Sequence, residues 1–282
     1  VTDHKLAIEE KLGAWLRRYS PPALTDFLMF GAKMAWATIF AGILLLAIII
    51  TRYIYPDEAW LSRYDFLTLF ALSCQVLMIV FKLESWSEVK VIFLFHLSGT
   101  VMEVFKLAKG SWDYPDTGLF EIAGVPLFSG FMYASVGSFM VRAIRGFDMK
   151  FTPFIKPAYA YFLAFLIYLN FFTHHYIVDL RWVLIGATVL CFGRTQVYFT
   201  PLEKTYRMSL VLAAFLSSLF LYLAENIGTL TATWTYAGSS GVDFTHPAKI
   251  TSWYLLLYLS FMQVIWAHIS AVSVNQTEPQ PE

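Results

Sequence analysis

Eight apolar stretches, each long enough to cross a hydrocarbon core as a helix, punctuate this chain, and they restrict its folds more than any other feature. They run 27–50, 66–83, 89–107, 125–144, 154–172, 182–199, 208–228 and 253–272. About 20 helical residues cross the roughly 30 Å of a bilayer interior. The polar sequence between stretches is short. Only Glu84-Ser-Trp-Ser-Glu88 separates the second from the third, which predicts a tight helical hairpin. Barrel strands alternate apolar and polar residues, whereas these stretches are apolar throughout. Only 14% of the 282 residues are charged, against about 25% in a soluble domain, too few to cover a 32.3 kDa particle in water. The expected fold is all-α: a polytopic membrane bundle of about eight transmembrane helices.

A net charge of zero removes the basic field that nucleic-acid binding needs. Cys74 and Cys191 both lie inside apolar stretches, so neither a disulfide framework nor a thiolate metal site is expected. From Val1 to Pro22, Leu6, Ile8, Leu12, Trp15 and Leu16 interleave with Lys5, Glu9, Glu10, Lys11, Arg17 and Arg18. This predicts an amphipathic helix in the headgroup plane, without the apolar core of a cleaved secretory signal. The polar tail from Asn275 to Glu282 is expected to be disordered.

Orientation follows from the basic residues of alternate loops. With the N-terminus inside, the inner set is Lys5, Lys11, Arg17, Arg18, Lys82, Lys90, Arg142, Arg145, Lys150, Lys156, Arg194, Lys204 and Arg207. The outer set is Arg52, Arg63, Lys106, Lys109, Arg181 and Lys249, with Lys33 snorkelling from the first stretch. The bias of thirteen to six places both termini in the cytoplasm.

Sliding the chain against itself by 122 residues aligns its rarest side chains without a gap. Asp57 meets Asp179, Trp60 meets Trp182, Lys82 meets Lys204, Glu103 meets Glu225, Trp112 meets Trp234 and Tyr114 meets Tyr236. Ser138-Phe-Met140 also meets Ser260-Phe-Met262. The organisation this implies is an amphipathic segment at 1–26, a first four-helix repeat at 27–146, a second at 147–274 and a tail at 275–282. An even number of helices per repeat gives both the same topology. Equivalent loops then share one side, and the duplicated polar residues converge between the halves.

Ionisable groups inside a bilayer cost about 2.5–3.5 kcal/mol at mid-span, and they usually face the bundle interior. Glu103 has Lys106 three residues on, so an ion pair near a helix end is one reading. Glu225 has no such lysine and continues Asn226-Ile-Gly228. A structural pair thus explains one of two matched acids, and a desolvated carboxyl is a proton donor near neutrality. Each acid is followed by a loop with a tryptophan and a tyrosine two apart, Trp112 with Tyr114 and Trp234 with Tyr236. These are either interfacial belt residues or the lining of a mouth whose ring faces attract cations.

A third cluster, Asn170-Phe-Phe-Thr-His174-His175 through Asp179, Arg181 and Trp182, reads as a metal site or as a hydrogen-bonded polar cap with proton acceptors. One adjacent histidine pair is less than the separated boxes of metal-dependent desaturases, and no metal is assigned. His96, mid-helix, is either a buried hydrogen-bonded histidine or part of the site, and Arg194 pairs with an acid or snorkels inward. The candidate catalytic residues are therefore Glu103, Glu225, Asp179 and His175. The candidate substrate-binding residues are Trp112, Tyr114, Trp234, Tyr236, Asn226, Lys106 and His96. No phosphate loop or cofactor motif is present, so no cofactor is assigned.

The strings His96-Leu-Ser-Gly-Thr-Val-Met-Glu103-Val-Phe-Lys106-Leu-Ala-Lys-Gly110-Ser-Trp112-Asp-Tyr114-Pro115 and Ala224-Glu225-Asn226-Ile-Gly228-Thr229, with Asn170 through Trp182, resemble the YoaT-like bacterial integral membrane family. The resemblance covers most of the chain and implies the bacterial inner membrane, without implying an activity. A shorter similarity is to membrane carotenoid enzymes, the bacterial-type lycopene cyclases and carotenoid 1,2-hydratases. It rests on Glu103, Gly110, Trp112, Tyr114 and Gly124-Val-Pro-Leu127 in that order. Pro201-Leu-Glu203 also matches a cyclase element, but it precedes Glu225 and falls on the inner side.

Three function classes follow. The leading one is non-redox cyclisation or hydration of an isoprenoid or carotenoid-like lipid. It would use Glu103 and Glu225 as proton donor and acceptor, and aromatic faces to hold a carbocation. The others are a proton-coupled transporter or channel and a non-catalytic subunit of a membrane complex. The expected partner is a membrane lipid or lipid-soluble small molecule, and an oligomer is compatible with the sequence.

Overall fold

A computed structural model describes residues 2–56, 58–236, 244–267 and 273–274. The expected tail at 275–282, the end of the last apolar stretch at 268–272 and the matched Asp57 lie outside the described residues.

Ten helices dominate the described residues: α1 (Thr2–Tyr19), α2 (Pro22–Ala37), α3 (Ile39–Ile54), α4 (Arg63–Val80), α5 (Trp86–Ala108), α6 (Phe128–Gly146), α7 (Pro157–Thr173), α8 (Arg181–Phe192), α9 (Leu210–Leu230) and α10 (Lys249–Ala267). Their local logic is conventional. Proline opens α2 and α7, where the missing N–H is no loss. Ser62 and Ser209 cap α4 and α9 through their side chains. The α4–α5 hairpin turns on a capping box: Ser85 Oγ accepts from the Glu88 N–H, and Glu88 Oε2 accepts from the Ser85 N–H at 2.5 Å.

Four helices, α4, α5, α9 and α10, are long and apolar enough to cross a membrane, and the bent pair α2–α3 makes a fifth if counted as one span. The chain is thus a largely helical membrane-type protein. The stretch expected as one helix from 27 to 50 is broken at Thr38, where α2 and α3 meet at 65°. The Thr38 hydroxyl donates to the carbonyls of Met34 and Ala35, 2.9 and 3.3 Å away, in competition with the helical ladder.

Strands replace helix at three expected positions. The stretch expected to span 182–199 stops at Phe192. Beyond Gly193, Gln196–Phe199 form β5, which pairs with β4 (Lys150–Thr152) and β6 (Tyr206–Ser209). Arg194, expected within a helix, therefore lies in the turn after α8, and the stretch expected from 208 is helical only from Leu210. Strand β8 (Ser273–Val274) completes a four-stranded sheet in the order β6-β5-β4-β8. At the other end of the helices, β2 (Glu121–Ile122) and β3 (Val125–Pro126) form a hairpin before α6. Ala123 and Gly124 both take positive φ in its turn, as a primed turn requires.

The amphipathic α1 docks at the sheet end. Glu9 pairs with Lys33 at 3.1 Å and Arg17 with Glu203 at 2.5 Å, while Gly13 lets Leu202 lie against the helix. Shifted by 122 residues, α5 and α6 would cover 208–230 and 250–268, which coincide within two residues with α9 and α10. Helices α5, α6, α9 and α10 pack together, and Gln263 on α10 donates to Ser98 on α5 at 3.2 Å.

Candidate functional site

Both glutamates stand near the C-terminal ends of their helices, and both helices end in the same turn. At α5 the Gly110 N–H reaches the Leu107 carbonyl at 2.9 Å and the Ser111 N–H reaches Lys106 at 3.0 Å. Gly110 takes φ 62°, completing a Schellman cap. At α9 the Ala232 N–H reaches Thr229 at 3.0 Å and the Thr233 N–H reaches Gly228 at 2.9 Å, with Ala232 at φ 48°. The turn sends the following residues back along the helix.

An aromatic pair therefore returns onto each acid. Trp112 Nε1 and the Tyr114 hydroxyl both donate to Glu103 Oε2 at 2.7 Å. Trp234 Nε1 donates to Glu225 Oε1 at 3.0 Å, and the Tyr236 hydroxyl donates to the same oxygen. The two loops then pair with each other. Strands β1 (Trp112–Asp113) and β7 (Thr235–Tyr236) run antiparallel, with Trp112 opposite Tyr236 and Asp113 opposite Thr235.

The two clamps differ in one donor. The Tyr133 hydroxyl on α6 donates to Glu103 Oε1 at 2.8 Å, so both oxygens of Glu103 are occupied. Among the described residues both donors to Glu225 fall on Oε1. Gly99 makes the third donor possible, since a Cβ there would overlap the Tyr133 ring. At the 122-residue shift the matching positions are Leu221 and Leu255.

Gly228 likewise admits the Trp234 indole against α9, where any side chain would collide with it. Shifted by 122 residues, Gly228 falls on Lys106, and the Trp234 indole takes the space that a side chain at 228 would need. Tyr114 and Tyr236 are held above the ordinary phenol range, first by burial and then by the glutamate each one touches, so both remain proton donors.

A cavity of about 1070 Å³ opens beside the clamps, at the upper end of the roughly 300–1,000 Å³ usual for ligand pockets. Its polar end holds Glu103, Glu225, Lys106, Lys249, His174 and His175, and the rest is largely apolar, with Phe30, Met34, Phe139 and Phe220 in its walls. Lys106 is buried and lies 3.0 Å from His174 Nε2, 2.7 Å from His175 Nε2 and 4.5 Å above the Phe171 ring. His174 Nδ1 sits 2.9 Å from the Asn170 carbonyl. A carbonyl only accepts, so Nδ1 carries the proton and Nε2 faces the lysine as an acceptor. Partial desolvation and then Lys106 hold the more exposed His175 below the usual histidine range. Burial does the same for His174 against the opposing Asn170 bond. Lys249 Nζ lies 3.8 Å above the Tyr236 ring and 5.6 Å above Trp112.

Of the residues proposed from sequence, Glu103, Glu225, Trp112, Tyr114, Trp234, Tyr236, Lys106 and His175 meet around this cavity. Three others sit outside its lining. Asp179 accepts from Asn170 at 3.1 Å and pairs with Arg181 at 3.2 Å. Burial works against its ionisation, but these partners and the Arg181 N–H hold it below the usual carboxylate range. Asn226 donates to the Tyr222 carbonyl at 2.7 Å and accepts from the Thr245 N–H at 2.9 Å, tying α9 to the segment before α10. His96 lies edge-on to Phe131 at 4.7 Å. Sequence reading missed Tyr133 and Lys249. The small-for-large exchange of Gly99 and Tyr133 against Leu221 and Leu255 was the available signal for the first. Among the described residues, His, Cys, Asp and Glu side chains do not gather in threes that could hold a metal.

The model of a family described as protein of unknown function, DUF817, matches residues 26–261, a span that includes both clamps. The chain belongs to this family. DUF817 thus extends from within α2 into α10 and leaves out the whole of the docked α1. The protein YoaT of Bacillus subtilis, named as uncharacterised, is 38% identical over 243 residues, covering 86% of this chain and 91% of YoaT. The resemblance read from the strings around Glu103 and Glu225 is therefore correct. No solved structure matches this DUF817 chain.

Proposed function

We propose that the chain is an intramembrane acid–base enzyme acting on a lipid-soluble molecule, with Glu225 exchanging the proton and Glu103 as its fixed partner. One observation carries this: two glutamates, each clamped by a tryptophan nine residues on and a tyrosine eleven residues on, stand at the polar end of a large apolar cavity. Acid–base groups in a dry, shaped site are the usual equipment for proton transfer. Glu225 suits the exchanging role because only one of its oxygens is taken by clamp donors. Duplication of a four-helix unit accounts for the repeated clamp, the repeated turn and the coincident helix bounds. By the distribution of basic residues, the polar end faces outward.

The apolar walls favour a lipid over an ion or proton pathway, which needs polar groups along its length. The isoprenoid reading is supported by Trp234, Tyr114 and Tyr133, whose rings lie beside the acids. Lys249, however, already covers the faces of Trp112 and Tyr236, and an ammonium disfavours a neighbouring carbocation. Chemistry that develops negative charge is better supplied.

The test is lipid extraction and mass spectrometry of the purified protein, alongside lipid profiles of membranes carrying wild type or Glu225→Gln. A species enriched over bulk lipid, and one that accumulates with Glu225→Gln, is expected. Failure to find either would remove the enzyme reading.

A further inference from the structure

We infer that the polar end of the cavity receives an acidic headgroup, a carboxylate or a phosphate, carried on an apolar chain. This rests on the reading above that a lipid-soluble molecule occupies the cavity, and it names the class of that molecule.

The charges at this end are satisfied in an unusual way. The two carboxylates take their hydrogen bonds from neutral donors, namely Trp112, Tyr114 and Tyr133 on Glu103, and Trp234 and Tyr236 on Glu225. The two lysines face neutral partners as well. Lys106 has two imidazole nitrogens and the Phe171 ring, and Lys249 has the rings of Tyr236 and Trp112. Among the described residues, the ion pairs within 4.0 Å are Arg17–Glu203, Lys33–Glu9, Arg63–Asp116, Arg145–Glu88 and Arg181–Asp179. Neither cavity lysine takes part in one.

An ammonium has three N–H donors. Lys106 spends two on His174 and His175, and Lys249 spends none on any described acceptor. Lys106 is only 5% exposed, its nearby carboxylates Asp179 and Glu103 make no ion pair with it within 4.0 Å, and a buried cation without a direct anionic partner is costly. Both ammonium groups border the same cavity, so an anion entering there would be the first direct ionic partner of each. The histidines suit this arrangement, because in neutral form they orient Lys106 without neutralising it. Glu103 and Glu225 repel an anion, but five donors already face their oxygens. The apolar walls beyond accept the tail. A headgroup at Lys106 and Lys249 leaves the adjoining carbons beside Glu225.

Binding of three probes with one C18 chain, oleate, oleyl phosphate and oleyl alcohol, to the full-length chain in detergent tests the inference by native mass spectrometry and thermal shift. At least one acidic probe is expected to bind about tenfold or more tightly than the alcohol, the scale of one hydrogen bond to a charged group. The preferred acid distinguishes carboxylate from phosphate. Lys106→Met should abolish the preference and leave the alcohol bound as before, while Lys106→Arg should keep most of it. If Lys106→Met does not fold, Lys249→Met, on the edge of the same cavity, reads the same loss. Equal binding of acid and alcohol would overturn the inference and leave the lipid cavity standing. No binding of any probe would remove both.

Discussion

Trp112 and Tyr236 sit opposite each other across the antiparallel pair β1–β7, yet each donates its hydrogen bond to a different glutamate. Their rings meet edge to face at 5.9 Å with Lys249 over both. The two acids are thereby joined through one small ribbon that closes the polar end of the cavity. Trp112→Phe and Tyr236→Phe each remove one donor from a buried carboxylate and should each cost about 1–3 kcal/mol of unfolding free energy. Because they share the ribbon, their double mutant should depart from additivity by at least about 0.5 kcal/mol. Denaturant unfolding in micelles measures all three, and strict additivity would show two independent clamps.

Replacing the acids separates fold from function. In Glu103→Gln the amide oxygen can still accept from Trp112 and Tyr114, while the new NH2 donates to the Tyr133 hydroxyl, which is able to accept. In Glu225→Gln the oxygen keeps Trp234 and Tyr236, and the NH2 takes the second position. Both glutamine variants should stay within about 1.5 kcal/mol of wild type, whereas Glu103→Leu, which strands three donors, should lose at least about 3 kcal/mol. Thermal unfolding followed by tryptophan fluorescence checks this. A glutamine variant as unstable as the leucine one would contradict the donor assignment.

Tyr133 reaches Glu103 only because Gly99 has no side chain. Gly99→Ala should push the ring off the carboxylate at about 1–3 kcal/mol, the usual cost of overpacking. Adding Tyr133→Leu, which copies Leu255 at the 122-residue shift, should recover part of that loss. If the double variant is instead as unstable as the sum of its parts, the contact between 99 and 133 is not what sets the cost.

The histidine pair gives a pH signature. His174 and His175 both titrate below the ordinary histidine value in the folded state, mainly because burial disfavours their charge. A depressed histidine contributes stability that is complete above its unfolded pKa of about 6.5 and is lost as pH falls below it. Unfolding midpoints should therefore drop as pH falls below about 6.5. His174→Gln with His175→Gln should flatten that slope while leaving the alkaline side unchanged. An unaltered acid slope in the double variant would assign the loss to other groups.

The legible parts of the sequence were those where one side chain type decides the outcome. Apolar run length located the helical regions, of which four, or five with the bent pair α2–α3, are long and apolar enough to cross a membrane rather than the eight expected, and the recurrence of glutamate, tryptophan and tyrosine at fixed spacings pointed to residues that do meet. What stayed hidden depended on competition between local and distant partners. The break falls at Thr38, whose hydroxyl bonds back to its own helix, a feature that an apolar window does not register. The end of α8 comes from β5 pairing with strands about 46 and 10 residues away, contacts that hydropathy cannot see. Lys249 drew attention only as a loop charge, because the ring faces that hold it come from the two distant loops. Asn226, beside Glu225 in sequence, points away from the cavity since consecutive helical positions diverge by about 100°.

The last prediction concerns the turns that aim the clamps. Gly110 at φ 62° and Ala232 at φ 48° fill the same left-handed position after α5 and α9. Left-handed backbone costs a residue with a Cβ about 1–2 kcal/mol, while glycine occupies it freely but loses about 0.5–1 kcal/mol more entropy on folding. Gly110→Ala should therefore destabilise by about 1 kcal/mol, and Ala232→Gly should fall between no change and a gain of about 1 kcal/mol. The two substitutions lie outside the cavity lining, so probe binding should follow wild type in Ala232→Gly. A clear loss of stability in that variant would mean that the alanine methyl makes a contact worth more than the strain it brings.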